Sequence, residues 1–148
     1  MLTQKTDDAG STARNAMNAT YQNRIHICRV YTPPKVKEGI WILVDRLWPR
    51  GIKKEALAFD LWLKDITPSV ALRQWFHGNT DERWSEFVDC YIEELDHKGD
   101  LIEHILEQAE HCPVTLFYAA KDLKHNHALI LQAVLDSWPQ RPDKALLL

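Results

Sequence analysis

Two kinds of hydrophobic pattern alternate along the chain. Residues 25–31, Ile25-His26-Ile27-Cys28-Arg29-Val30-Tyr31, place Ile25 and Ile27 two apart and continue with β-branched and aromatic residues, which predicts a strand ended by Thr32-Pro33-Pro34. Residues 40–44, Ile40-Trp41-Ile42-Leu43-Val44, form an almost continuous apolar run of strand length, so this strand should be covered on both faces and lie centrally. A third run, Val114-Thr115-Leu116-Phe117-Tyr118-Ala119, follows Cys112-Pro113 and reads as another buried strand.

Between the second and third runs the period lengthens to that of a helix. Trp84, Phe87, Val88, Tyr91, Ile92 and Leu95 recur at spacings of three and four, with Asn79-Thr80-Asp81-Glu82 as a start signal and Gly99 as a stop. Asp100 followed by Glu103 reads as a second capping box, opening a helix with Leu101, Ile102, Ile105, Leu106 and Ala109 on its apolar face. Thr67-Pro68 opens a shorter helix carrying Leu72, Trp75 and Phe76. The last helix, from about 126 to 138, is apolar on more than one face and is expected against the sheet, with Pro139 and Pro142 ending regular structure. Residues 1–23 are polar, rich in Ala, Thr and Asn, and follow neither period, so they are read as a flexible arm. Strands separated by helices predict one α/β domain over 24–148, a three-layer sandwich with a small, mainly parallel sheet and a helix-rich middle segment.

Composition fits that reading. The chain has 148 residues, 45% hydrophobic and 26% charged, as in an ordinary globular domain. With 18 Lys+Arg against 21 Asp+Glu the net charge is −3, so only a local basic patch can attract an anion, and neither nucleic acid nor an anionic membrane is expected as a partner. The acidic segment 81–110 has the wrong sign for phosphate contacts of a helix-turn-helix kind. No membrane-length apolar run and no secretory h-region occur, which makes a cytoplasmic location the expectation. Cys28, Cys90 and Cys112 have no CxxC spacing and read as reduced thiols. The chain has no GxGxxG, GxxxxGK[ST], GxSxG or HExxH, which removes the sequence support for the usual dinucleotide, P-loop, serine-hydrolase and zincin chemistries. No cofactor and no metal site is expected: His125 and His127 have no third ligand at a recognisable spacing, and His97, His104 and His111 recur every seven residues on helix surface.

Two charged segments directly follow buried runs, the position at which open parallel sheets bind ligands. The first is Asp45-Arg46-Leu47-Trp48-Pro49-Arg50-Gly51, where two guanidiniums offer forked donors to a phosphate or carboxylate while Pro49 and Gly51 fix a bend. The second is 119–127, in which Lys121 adds charge, Asp122 and His125 are placed to move protons, and Asn126 precedes a helix N-terminus that favours an anion. The competing reading gives Asp45 an arginine partner, packs Trp48 in the core and leaves Asp122 or Asn126 as ordinary helix caps. Both segments fall at the same end of the sheet and should converge. Arg73, on the short helix, and Lys64, after Trp62-Leu63, are placed to add charge to the same cleft.

At these positions the chain resembles the DUF488 family, in particular its short YeaO-like branch. The resemblance is carried by Val44 to Gly51, Trp62-Leu63-Lys64, Pro68-Ser69, Leu72-Arg73-Gln74-Trp75-Phe76, Trp84-Ser85-Glu86-Phe87 and Tyr118-Ala119-Ala120-Lys121-Asp122 with His125-Asn126-His127-Ala128, and it covers about 25–135. It implies an α/β fold with the two signature loops close together. Longer relatives tend to have Cys-His-Arg where this chain has Asn126-His127-Ala128, so the resemblance transfers no thiolate nucleophile. The expectation is a basic cleft for a small anionic ligand, with Arg46, Arg50, Lys121, Arg73, Trp48 and Asn126 binding it and Asp45, Asp122 and His125 as candidate catalytic groups. The alternative is a non-enzymatic interaction or regulatory domain that uses the helical face 68–108.

Overall fold

The run at 114–118 is buried at all five positions, and this decides where it lies: a strand apolar on both faces is stable only inside a sheet covered on both sides. In the computed structural model, which describes residues 24–148, it is β4 (Val114–Tyr118). β4 lies between β1 (Ile25–Arg29) and β2 (Ile40–Leu43), and β3 (Leu61–Trp62) adds to the outer side of β2. The order is β1-β4-β2-β3 and every pairing is parallel, with Val114 opposite both Ile25 and Ile40. The helices are α1 (Val70–His77), α2 (Thr80–Asp96), α3 (Gly99–Ala109) and α4 (His127–Ser137), with 3-10 turns at Lys64–Ile66 and Lys144–Leu147. This is the expected α/β fold with a parallel sheet. Among the described residues no helix is long and apolar enough to cross a membrane.

Successive residues of a strand point to opposite faces, and the two faces carry separate cores. On one face Ile42, Val44, Val114, Leu116 and Tyr118 pack against Phe76 of α1, Phe87 and Tyr91 of α2, Ile105 of α3 and Ile130 of α4. On the other face Trp41, Leu43 and Phe117 pack with Val30 and Leu57, and no helix contributes to this cluster. The third layer is instead the irregular segment 45–60. Its aromatic rings meet edge-on: Trp48 lies 5.6 Å from Phe59 and 5.5 Å from Trp62, and Phe59 lies 5.3 Å from Phe117.

Local signals placed most helix starts. Asn79 Oδ1 accepts from Glu82 N at 3.3 Å, Asn126 Oδ1 from Leu129 N at 3.1 Å, and Ser69 Oγ from Leu72 N at 3.2 Å. The short helix is thus capped by Ser69, two residues after the expected Thr67-Pro68 opening. The Asp100–Glu103 box does not form, because α3 already begins at Gly99 behind Lys98, which makes no side-chain cap, and Glu103 Oε2 accepts from Trp138 Nε1 at 3.4 Å. Gly99 is therefore the first residue of α3 and no stop for α2, and a Cβ there would come 3.3 Å from the Trp138 ring. β3, two residues long, has no readable period and was not expected. The flexible arm expected at 1–23 lies outside the described residues.

The sheet register depends on one glycine. Gly39 has φ +68°, and an added Cβ would lie 2.0 Å from Pro113 O, the carbonyl that accepts from Ile40 N at 2.9 Å where β2 joins β4. Gly51 also has positive φ, +80°, but a Cβ there meets nothing within 4 Å. Gly39→Ala should therefore cost more than about 3 kcal/mol, since the clash adds to backbone strain, whereas Gly51→Ala should cost about 1–2 kcal/mol from strain alone. Urea unfolding of the two variants checks this, and equal losses would contradict it.

Candidate functional site

Because all four strands run the same way, their carboxyl ends share one edge, and because β2 and β4 are neighbours, the segments that leave them are adjacent. Val44 N continues the ladder by donating to Phe117 O at 3.0 Å, and Asp45 Oδ2 then accepts from Ala119 N at 2.9 Å. The two candidate segments thus meet. They enclose a cleft of about 400 Å³ whose lining includes Asp45, Arg46, Trp48, Arg50, Arg73, Lys121, His125 and Asn126. Tyr31, Pro68, His77 and His127 line it as well. Asp122 does not.

At the floor of the cleft stands a pair that joins its two sides. His127 Nε2 lies 2.6 Å from Val44 O and 3.3 Å from Asp45 Oδ1. Both neighbours accept, so the Nε2 proton is present, and in the neutral ring Nδ1 remains as an acceptor. The Tyr91 ring meets the imidazole edge-on at 6.2 Å, while Tyr91 Oη donates to Ile66 O at 2.7 Å; full burial holds this phenol in its neutral form, pushing its pKa well above the usual range. Asp45 is thus occupied with Ala119 and His127 and not with an arginine.

The cations have no such partners. Among the described residues, no carboxylate comes within 4.0 Å of Arg46, Arg50, Arg73 or Lys121. Arg46 Nη2 donates to Pro68 O at 3.2 Å, but the Nε atoms of Arg46 and Arg73 are buried with no acceptor. Arg50 is exposed, and its carbonyl accepts from Tyr31 Oη at 2.7 Å, which fixes the bend. Lys64 does not reach the cleft: its ammonium lies 4.0 Å over the Trp62 ring, where cation–π attraction holds it. Trp48 shows the cleft only ring surface, because its indole N–H donates to Ile52 O at 2.6 Å and the ring packs on Phe59 and Trp62.

The second segment is an Asx-type turn. Asp122 Oδ1 accepts from Lys124 N at 2.9 Å and His125 N at 3.1 Å, and these bonds hold its carboxyl below the usual carboxylate range. Its Oδ2 lies 3.1 Å from His125 Nδ1, which is also 3.2 Å from Asp81 Oδ1, while the His125 ring packs 5.0 Å from Trp84. Asp81, Asp122 and His125 offer three ligand atoms within 4.8 Å of one another; two of the residues are exposed, and all are explained by the turn and the bridge to α2. Asn126 is buried, caps α4 and donates from Nδ2 to Asp122 O at 2.9 Å, so both ends of its amide hold backbone. Asp122 and Asn126 thus shape the loop that carries Lys121.

Residues 24–146 match DUF488-N3i, described as the inactive DUF488-N3 subclade. The chain belongs to this family. It is 47% identical over 103 residues to the uncharacterized protein YeaO of Escherichia coli K12, covering 70% of this chain and 89% of that protein. It is 34% identical over 115 residues to the uncharacterized proteins Mb3100c of Mycobacterium bovis and Rv3073c of Mycobacterium tuberculosis, covering 78% of this chain and 96% of each. No solved structure matches.

The cleft of this chain contains no cysteine among its lining residues. Cys28, Cys90 and Cys112 are all free thiols, and burial pushes Cys28 and Cys90 up, away from the thiolate form a nucleophile needs. Two titratable residues of this site, His127 and His77, were missed by sequence reasoning. His127 stood in the signature beside His125, but only the fold shows which imidazole turns inward. His77 sits in the last turn of α1, where nothing local distinguishes it from a surface residue. Asp45→Asn would set its amide NH2 against either the Ala119 N–H or the His127 Nε2 proton, since one oxygen cannot accept from both, and should cost about 1–3 kcal/mol. Thermal unfolding of Asp45→Asn with Asp81→Asn as an exposed control checks this; equal losses would show that the floor pair is unimportant.

Proposed function

We propose that this cleft binds a small anionic ligand, a phosphate or carboxylate compound, and that binding rather than turnover is its role. The observation that supports this reading is the state of the four cations. Arg46, Arg50, Arg73 and Lys121 surround one cavity without a carboxylate partner among the described residues, and two of their guanidinium nitrogens are buried with no acceptor. A buried charged donor left unpaired costs upwards of about 1–3 kcal/mol, and an oxyanion in the cleft would supply the counter-charge that these guanidiniums lack. Forked guanidinium donors match the spacing of phosphate and carboxylate oxygens.

Binding without turnover is supported by the description of the family as inactive and by the lining. It has no thiol, Asp122 lies outside it, and His125 is held between two carboxylates on the side of α2. The two hydroxyls in the lining are committed to backbone, Tyr31 Oη to Arg50 O and Thr67 Oγ1 to Lys64 O, so the floor pair of Asp45 and His127 has no free hydroxyl or thiol beside it to activate.

Isothermal titration with inorganic phosphate and a panel of sugar phosphates, nucleotides and carboxylates tests the reading. At least one should bind the wild type. Arg73→Gln and Arg50→Ala should each weaken it about 10–100-fold, the loss of one charge-assisted hydrogen bond of about 1.5–3 kcal/mol, while Lys64→Ala, outside the cleft, should leave it unchanged. No heat for any anion, or equal loss in all three variants, would overturn it.

A further inference from the structure

The cleft carries a further titratable group, His77, at its rim. His77 ends α1 one turn after Arg73, lines the cleft, and packs its ring 5.8 Å from Phe76. It is exposed at the cleft rim, where Arg73 on its own helix and His127 at the start of α4 act on it, and it shares the lining with Lys121 and His125 from the loop before α4 and with Arg46 and Arg50 after β2. From α2, Arg83 approaches the neighbouring Gly78 and donates to Trp75 O. The one carboxylate in the lining, Asp45, is held by Ala119 and His127.

Resting on the anion-binding reading above, we propose that the cleft selects a dianion, such as a phosphate monoester, and that its binding places a proton on His77, so that affinity rises as the pH falls through the neutral range. Four cations against one committed carboxylate leave more positive charge than a single carboxylate ligand offsets, which favours two negative charges over one. The proton follows from the same geometry. In the free protein, desolvation, then the Arg73 guanidinium, then the His127 ring hold His77 below its ordinary pKa, so it is neutral near pH 7. A dianion among these groups offsets the neighbouring charge and favours the imidazolium. By linkage, whatever factor the anion adds to proton affinity, the proton adds to anion affinity. The sign for the free protein is the opposite: a depressed histidine pKa contributes stability above the unfolded value that is lost as the pH falls, so acid should destabilise the empty protein and tighten its complex.

Sulfate is the probe, because it remains a dianion from pH 8 to pH 5.5 and any pH dependence then belongs to the protein. On the full chain, titration calorimetry in buffers of different ionisation enthalpy should show proton uptake. Affinity should rise about tenfold for each unit by which the pKa is raised. The NMR resonance of His77, assigned from His77→Gln, should titrate at higher pH with sulfate present, and His77→Gln should remove the pH dependence. Acetate should bind more weakly. Sulfate binding that is independent of pH, or a proton taken up on His125 or His127, would overturn the coupling and leave anion binding intact. Acetate as tight as sulfate would overturn the choice of a dianion. If no anion binds at any pH, the reading of the cleft itself fails.

Discussion

The carboxylate of Asp45 is the constraint on which the site depends. It is the second residue past the end of β2, and its two oxygens reach the first residue past β4 and the first residue of α4. One side chain therefore closes the gap between two strand ends and orients the imidazole that also holds Val44 O. Because this carboxylate is already used, the arginines that follow it in the sequence are not neutralised by it. The short-range pairing of Asp45 with Arg46 or Arg50, which adjacency in sequence suggests, is replaced by contacts 74 and 82 residues away, to the Ala119 N–H and the His127 imidazole.

The electrostatics of the molecule divide accordingly. The whole chain carries a net charge of −3, yet its cleft gathers four cations around one carboxylate. Elsewhere, Lys37 pairs with Asp60, Lys144 with Asp89 and Arg141 with Asp96. The four cations of the cleft, by contrast, crowd about one cavity with no carboxylate within 4.0 Å among the described residues, a gathering of like charge that stability alone does not favour. Such local conflict between folding and charge is what a binding surface looks like when the missing counter-charge comes from outside.

Rigid elements hold the walls of the cleft. Glu94 of α2 accepts from both Ser69 N, at 2.8 Å, and Ser69 Oγ, at 2.6 Å, which fixes the Pro68 carbonyl that receives Arg46. On the opposite side, Trp62 Nε1 donates to Asp45 O at 2.7 Å, so the aromatic third layer steadies the backbone at the floor. Tyr31 performs the same service for Arg50. The backbone that carries Arg46 and Arg50, and the carbonyl that receives Arg46, are therefore held by side chains from both faces of the sheet.

How much of this was legible follows from the range of each interaction. The three apolar runs, the helices between them and the caps at Asn79 and Asn126 could be read directly, since periods of 2 and 3.6 and capping residues act over a few positions. The meeting of 45–51 with 119–127 could also be read, as a consequence of parallel strands with ligand segments at their carboxyl ends. The two-residue β3, the start of α3 at Gly99 and the non-helical third layer could not, because each depends on contacts distant in sequence, such as Trp138 against Gly99 and Phe59 against Phe117. The sequence by itself determined a parallel α/β domain with two charged loops at one edge, because burial of apolar runs leaves few other arrangements. Only the tertiary structure decided that Asp122 and Asn126 build a turn, that His127 and His77 line the cleft, and that its arginines stand without carboxylate partners among the described residues. Those outcomes depend on which groups meet across the fold, and side chains with the same local pattern differ only in what they meet.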